Sequence, residues 1–254
     1  MFVPAVVTVH EFSRVHLLRK LAIIPFFCFA KRLIFTSDAE LDAVASRMPW
    51  IRAKSTVIEI GSNIPVVAEP PSRTAGEIIY FGLIAPKKGI ESVLELASLI
   101  VKKRQDISVR IIGATVPRLS DYANDLREQA KDLPVAFDTD CDDAETGAKL
   151  ARASVAYLPF PNGASTSRGS LKAVLACGVA TITTSGPRTS PALASTVLLA
   201  STPSEALDIS LELLAQPERV KAISAASRQY SQSFAWGTIA RDHVDVYSKV
   251  RADL

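Results

Sequence analysis

The residues of this 254-residue chain best suited to chemistry sit in two loops, each running from an apolar strand into a helix. In Phe81-Gly82-Leu83-Ile84-Ala85-Pro86-Lys87-Lys88-Gly89 a strand ends at Gly82, the loop carries two lysines, and a helix opens after Gly89. Lys88 beside a helix N-terminus suits phosphate oxygens, because the ammonium and the unpaired amides attract the same anion. Alone, such a lysine is more often a solvated loop residue.

The second loop runs from Tyr157-Leu158-Pro159-Phe160-Pro161 through Asn162–Ser170 into Leu171–Cys177 and Gly178-Val179-Ala180. Ser165, Thr166, Ser167, Gly169 and Ser170 offer the amides and hydroxyls that a diphosphate needs, and the helix dipole favours negative charge there. Arg168 supplies a planar, permanently charged clamp. Helix capping by Ser165 or Ser167 is the plainer use of the same serines. A third candidate is His10, in Thr8-Val9-His10-Glu11, which leaves an apolar strand at its carboxyl end. In an open parallel sheet, ligands bind outside the carboxyl ends of strands. The segment Phe234–Ala240, with Tyr247 behind it, reads alone as an amphipathic helix with aromatic anchors.

The elements that must position these residues alternate in type. Short β-branched runs are followed by stretches of helical period, which implies a parallel sheet with helices on both faces. Strands are expected at Ala5–Val9, Arg32–Thr36 and Thr56–Ile60, with helices at Val15–Ala30 and Asp38–Arg47. Residues 65–76, rich in Pro, Ser, Thr and Gly, read as a linker. A second series follows, with strands at Ile78–Leu83, Ser108–Gly113, Val135–Asp138, Val155–Phe160, Val179–Thr183 and Val197–Ala200. Its helices are expected at Ile90–Arg104, Leu119–Leu133, Asp143–Ala153, Ser167–Ala176 and Ser204–Ala215. Glu218–Asp253 reads as helical with a break near Phe234–Gly237. The expected domains are 1–64, the linker 65–76, 77–230, and a helix at 231–254 returning to the first domain. Three parallel strands with one uncovered edge make a poor independent domain, so the expectation is either a partner chain or second copy on that edge, or a chain that lacks what normally precedes Met1.

Composition narrows the class. Hydrophobic residues make up 48% and charged residues 22%, as in globular proteins with a good core. A net charge of +3 is too mild to argue for nucleic acid. Cys28, Cys141 and Cys177 are odd in number and lack metal-ligand spacing, so neither a cysteine-ligated metal nor a disulfide framework is expected. The longest apolar run, Leu21–Ala30, contains Pro25 and is about half of a membrane span. No signal peptide is read, and a cytoplasmic location is expected. Basic residues flank that run (Arg14, Arg19 and Lys20 before it, Lys31 and Arg32 after it), which suits peripheral contact with anionic lipid. The plainer reading of the same run is a helix buried in the first domain.

In this order, the segments resemble the glycosyltransferases of family four in the GT-B class. The resemblance covers nearly the whole chain. Ile58–Ile64 looks like the end of the family's N-terminal domain, and Phe81–Gly89 like its glycine–lysine loop. Tyr157–Gly178 looks like its signature loop and helix, ending in Ala176-Cys177-Gly178-Val179, and Phe234–Tyr247 like its closing helix. The resemblance implies an α/β fold of GT-B type, with one complete doubly wound Rossmann-like domain plus the end of a second. It implies transfer of a sugar, with retention, from a UDP or GDP donor to a saccharide or glycolipid acceptor. It implies His10 near the transferred sugar, Gly82, Lys88 and Ser165–Ser170 at the donor, and no metal or other cofactor. Surface polysaccharide or glycoconjugate assembly is the implied setting.

The sequence departs from that pattern in three places. Leu83 stands where the family has arginine, and Ser165 and Ala173 stand where it has paired glutamates. Serine still donates a hydrogen bond, whereas alanine offers no acceptor. Arg168 is expected to take the diphosphate role that Leu83 leaves open. The family also carries more chain before the His10 strand. A donor-binding subunit without activity of its own is therefore the second reading, and a GT-B epimerase a third, which lacks the acid–histidine constellation it needs.

Overall fold

The computed structural model describes residues 4–12, 15–68, 72–103 and 106–252. Arg14, Pro70, Pro71, Arg104 and Asp253, which entered the expectations above, lie outside them. The chain divides into two units, one of residues up to Gly61 together with those from Ser233 onward, the other Ser62–Gln232.

In the first unit, β1 (Val6–Val9), β2 (Arg32–Phe35) and β3 (Ser55–Val57) form a parallel sheet in that order. Their pairing is in register from Val6 opposite Arg32 to Val9 opposite Phe35. Strand alternation sends Leu33 and Phe35 to one face and Ile34 to the other. The first face packs on α1 (Leu17–Phe29) and α2 (Asp38–Ala45), with Phe12, Phe27, Val44 and Ile51 in a shared core. The rings of Phe12, Phe27 and Phe35 meet in sequence, with centroids 5.8 and 6.3 Å apart. On the other face Ile34 and Ile58 pack against Ile239 of α10 (Trp236–Ala252).

The second unit alternates strictly. Its strands are β4 (Glu77–Phe81), β5 (Ser108–Gly113), β6 (Val135–Thr139), β7 (Val155–Leu158), β8 (Ala180–Thr183) and β9 (Leu198–Leu199). Its helices are α3 (Ile90–Lys103), α4 (Ser120–Gln129), α5 (Asp143–Arg152), α6 (Gly169–Ala176), α7 (Pro191–Ala194), α8 (Pro203–Ala215) and α9 (Pro217–Ser231). The sheet is parallel throughout, in the order β6-β5-β4-β7-β8-β9. The chain builds outward from β4 to β6, then returns to β7 and builds the other way. The reversal lies between β4 and β7, which is where doubly wound sheets open a ligand crevice.

Several boundaries differ from expectation for local reasons. Helix α1 starts at Leu17 because His16 caps it, Nδ1 accepting from the Leu18 amide at 3.4 Å. Helix α4 stops at Gln129, before the Leu133–Pro134 step that disfavours helical backbone. Helix α6 starts at Gly169 rather than Ser167, and its N-cap, Arg168, makes no side-chain capping bond. Capping by Ser165 or Ser167 is therefore not the use made of those serines. The single-turn helix α7 and the 3-10 turns Pro49–Lys54, Pro117–Leu119 and Gln232–Phe234 were not expected. Each of the first two 3-10 turns, like α7, opens on a proline in a stretch too short for a helical period to register.

Candidate functional site

The site is built from the loops that leave β4, β5, β7 and β8 at their carboxyl ends. The β4 loop is braced on both sides. Towards β5, Gly82 N–H donates to Ile112 O at 3.1 Å and Ile84 N–H to Ala114 O at 2.9 Å. Gly113 is required there, since a Cβ on it would stand 1.8 Å from Gly82 O. Towards β7, a Cβ on Gly89 would stand 1.9 Å from Pro159 O. Lys87 (φ 63°) and Gly89 (φ 85°) both take left-handed backbone, so the lysine loop turns back sharply before α3. Buried Tyr80 supports it from below, its hydroxyl donating to Lys88 O at 3.3 Å. Burial raises the Tyr80 pKa, with Glu91 adding to the rise and Arg168 opposing it, so the hydroxyl stays a donor.

The β7 loop is fixed to the β8 loop by a similar device. Gly163 (φ 76°) and Gly186 approach back to back, and a Cβ on Gly163 would meet Gly186 at 2.4 Å. Ala164 N–H donates to Thr184 O at 2.9 Å, and the Thr189 hydroxyl donates to Ala164 O at 2.7 Å. Thr184 Oγ1 also donates to Phe160 O. Ser165 is buried, Thr166, Arg168 and Ser170 are half-buried, and Ser167 and Gly169 are exposed. The Arg168 guanidinium lies over the Phe160 ring, 5.0 Å from its centroid. That contact orients the planar group.

Helix α6 presents the amides of Gly169, Ser170 and Leu171, the groups a helix cannot bond internally. Its N-cap contributes no side-chain acceptor, whereas Ser37, Asp142, Ser190 and Thr202 cap α2, α5, α7 and α8. The other end of α6 is closed. Gly178 (φ 69°) completes a Schellman motif, with Gly178 N–H to Leu175 O at 2.9 Å and Val179 N–H to Val174 O at 3.1 Å. Arg73 donates to Gly178 O at 2.6 Å and Arg228 to Cys177 O at 3.4 Å, so cations sit at the negative end of the helix. Burial and the neighbouring Arg228 push the Arg73 guanidinium below its usual range.

Of the residues singled out in the sequence, Gly82, Lys88 and Ser165–Ser170 are thus brought to the carboxyl edge of one sheet, on both sides of the β4/β7 reversal. His10 belongs to the other unit. It is exposed just past β1, and its carbonyl accepts from Thr36 Oγ1 at 3.0 Å. Three features of the site escaped the sequence reading. Tyr80 was hidden inside a strand. The Thr184–Thr189 loop joins the site only because β8 lies beside β7. Lys172, one turn beyond Arg168, is only 3% exposed, and lysine is almost never so buried without compensation. Its signal was a lysine inside the apolar run Leu171–Cys177. Among the described residues no group of three or more His, Cys, Asp or Glu side chains is placed to hold a metal ion. A small depression lined by Ala75, Gly76, Asp106, Ile107 and Leu214 lies at the amino ends of β4 and β5, the opposite end of the sheet.

No protein-family model matches the chain, and no curated protein sequence does. Solved structures do. Anabaena HepE, determined in complex with UDP and glucose, is similar over 97% of this chain and 72% of its own, at TM-score 0.75 and 15% identity. The sucrose-phosphate synthase of Thermosynechococcus elongatus is similar over 98% of this chain and 68% of its own, at TM-score 0.68 and 18% identity. The C-terminal domain of LpcC, a group 1 glycosyl transferase of Francisella tularensis, is similar over 65% of this chain and 92% of its own. Its TM-score is 0.53 at 17% identity. At such identities the likeness is one of fold. The fold is α/β of GT-B type, with one complete doubly wound domain and part of a second.

Proposed function

We propose that this chain is a retaining glycosyltransferase whose second unit binds the nucleotide-sugar donor. The observation that carries the reading is the pairing of two cationic loops, Lys88 after β4 and Arg168 after β7, across the reversal point of the sheet. Glycine contacts join the two loops, and the amide end of α6 lies directly behind Arg168. A diphosphate is the ligand class that this combination of ammonium, guanidinium and helix amides fits. The UDP and glucose bound to HepE support a nucleoside diphosphate sugar as the donor, and a UDP-sugar first; a GDP-sugar is the other candidate.

In the reaction, the bond between the sugar's anomeric carbon and the diphosphate oxygen breaks as the acceptor hydroxyl adds. Charge builds on the departing diphosphate and on an oxocarbenium-like sugar ring. Lys88, Arg168 and the α6 amides stabilise the first charge with little rearrangement of the backbone, because the loops that carry them are braced. Retention brings the acceptor oxygen in on the face the diphosphate leaves, so the leaving oxygen is the nearest base for the acceptor's proton. No metal is needed for this distribution of charge. His10 is assigned to the transferred sugar. The acceptor is a saccharide or glycolipid, in cytoplasmic assembly of surface polysaccharide or glycoconjugate.

Release of UDP or GDP from sugar nucleotides, followed with and without simple sugar acceptors, tests this reading. Turnover that falls in His10→Ala while donor binding is kept supports it. Donor binding with no turnover under any condition would instead assign the chain to a donor-binding subunit, as the Ser165 and Ala173 replacements would allow.

A further inference from the structure

Helix α1 is apolar nearly all the way round. At about 100° per residue, Ile23, Ile24 and Phe27 face the first unit, and Leu17, Leu18, Leu21, Pro25, Phe26 and Phe29 cover the outward half. A helix that is apolar on every side is normally buried. Here Phe27 is the buried side chain of α1, while Leu18 is 69%, Phe26 58% and Phe29 85% exposed. Trp50, 47% exposed, extends the patch past the helix end. Lys54 ties it there, with Nζ 5.1 Å from the Trp50 ring centroid and donating to Cys28 O at 3.2 Å and Ala30 O at 2.8 Å.

The segment that carries this helix is charged with one sign. From Glu11 to Asp38 the sequence holds no intervening Asp or Glu and five basic residues, Arg14, Arg19, Lys20, Lys31 and Arg32. Exposed Arg19 and Lys31 stand at the two ends of the apolar face. The helix has 13 residues, and no helix among the described residues is long and apolar enough to cross a membrane. We propose that the outward face of α1, with Trp50, docks the first unit on an anionic membrane surface, the helix lying in the plane of the interface. The apolar side chains enter the headgroup boundary, Trp50 sits at that level, and Arg19 and Lys31 meet lipid phosphates. Charge argues for lipid over a second copy. A two-fold pairing of this face would set Arg19 and Lys31 of both chains around one apolar patch, with like charges opposed.

The test is flotation of the full chain with vesicles of phosphatidylcholine alone and of phosphatidylcholine mixed with phosphatidylglycerol, at low and high salt. Leu21→Ser/Phe29→Ser and Arg19→Gln/Lys31→Gln are compared with the parent, and thermal melts confirm that each is folded. The expected result is binding to the anionic vesicles, weakened by salt. Loss of two basic residues should weaken it on the order of tenfold or more. The Leu21→Ser/Phe29→Ser chain should stay unbound. Absence of binding to anionic vesicles, equal binding to neutral ones, or binding unchanged by Leu21→Ser/Phe29→Ser overturns the proposal. So does a lipid-independent dimer, seen by sedimentation equilibrium, that this variant dissolves without any flotation of the parent.

Discussion

Gly89 lies against the carbonyl of Pro159, so closely that a Cβ at position 89 would stand 1.9 Å from the oxygen. This contact joins the lysine loop to the arginine loop. Its backbone is left-handed as well, at φ 85°. Gly89→Ala therefore meets both a clash and a strained φ, and is expected to lose on the order of 1–3 kcal/mol of stability. The loops must separate to admit the methyl group, so nucleotide-sugar affinity should fall with stability. Urea melts and donor titration of the same sample check both. Gly237→Ala is the control, because its Cβ would come no nearer than 4.0 Å to any neighbour, Arg241 Nη1.

Arg168 rests on the face of Phe160, which points to a role for its planar shape as well as its charge. Arg168→Lys keeps the charge but loses the fork and the stacking surface. It should therefore recover little of the affinity lost in Arg168→Ala. That loss should be about tenfold to a hundredfold, the usual worth of a charge-assisted contact. Titration of UDP or GDP alone, without sugar, checks that the effect lies at the diphosphate.

Much of this was legible in the chain. The strands of the second unit were readable because runs such as Ile78-Ile79-Tyr80 and Val155-Ala156-Tyr157 are apolar and bounded by turn residues. The loops with Lys88 and Arg168 were readable because they follow such strands and precede helices. What stayed hidden depends on contacts between distant segments. Nothing near Gly186 reports that it will touch Gly163, and nothing near Tyr80 reports that its hydroxyl will support Lys88. The outward apolar face of α1 was hidden differently, since an apolar run does not say which of its sides will be covered.

Asp138 carries a pH dependence. Burial alone would raise its pKa, but hydrogen bonds from Lys149 and Arg110 outweigh it and hold the carboxyl below its usual value. A depressed folded pKa gives stability that is present above the unfolded value and lost as pH falls through the folded one. Asp138→Asn should cost on the order of 1–3 kcal/mol at neutral pH. The gap from the parent should shrink as pH drops below about 4. Urea denaturation across that range checks the trend.

The cysteines should separate by reactivity. Cys177 is buried, and burial raises its pKa to about 11 despite the opposing charges of Arg228 and Arg73. Cys28 is exposed on α1. At pH 8 an alkylating reagent should label Cys28 first, with Cys177 slower by roughly a hundredfold or more until the chain is unfolded. Peptide mapping after timed quenching reads this directly.

The central claim is that Lys88 and Arg168 hold the diphosphate of a sugar nucleotide at the reversal of the second unit's sheet. Calorimetric titration of UDP-sugars and GDP-sugars into the purified chain, into Lys88→Ala and into Arg168→Ala tests it most directly. Binding of one nucleotide class that weakens in both variants is the expected result. No binding to either class, or binding that both variants leave unchanged, would contradict it.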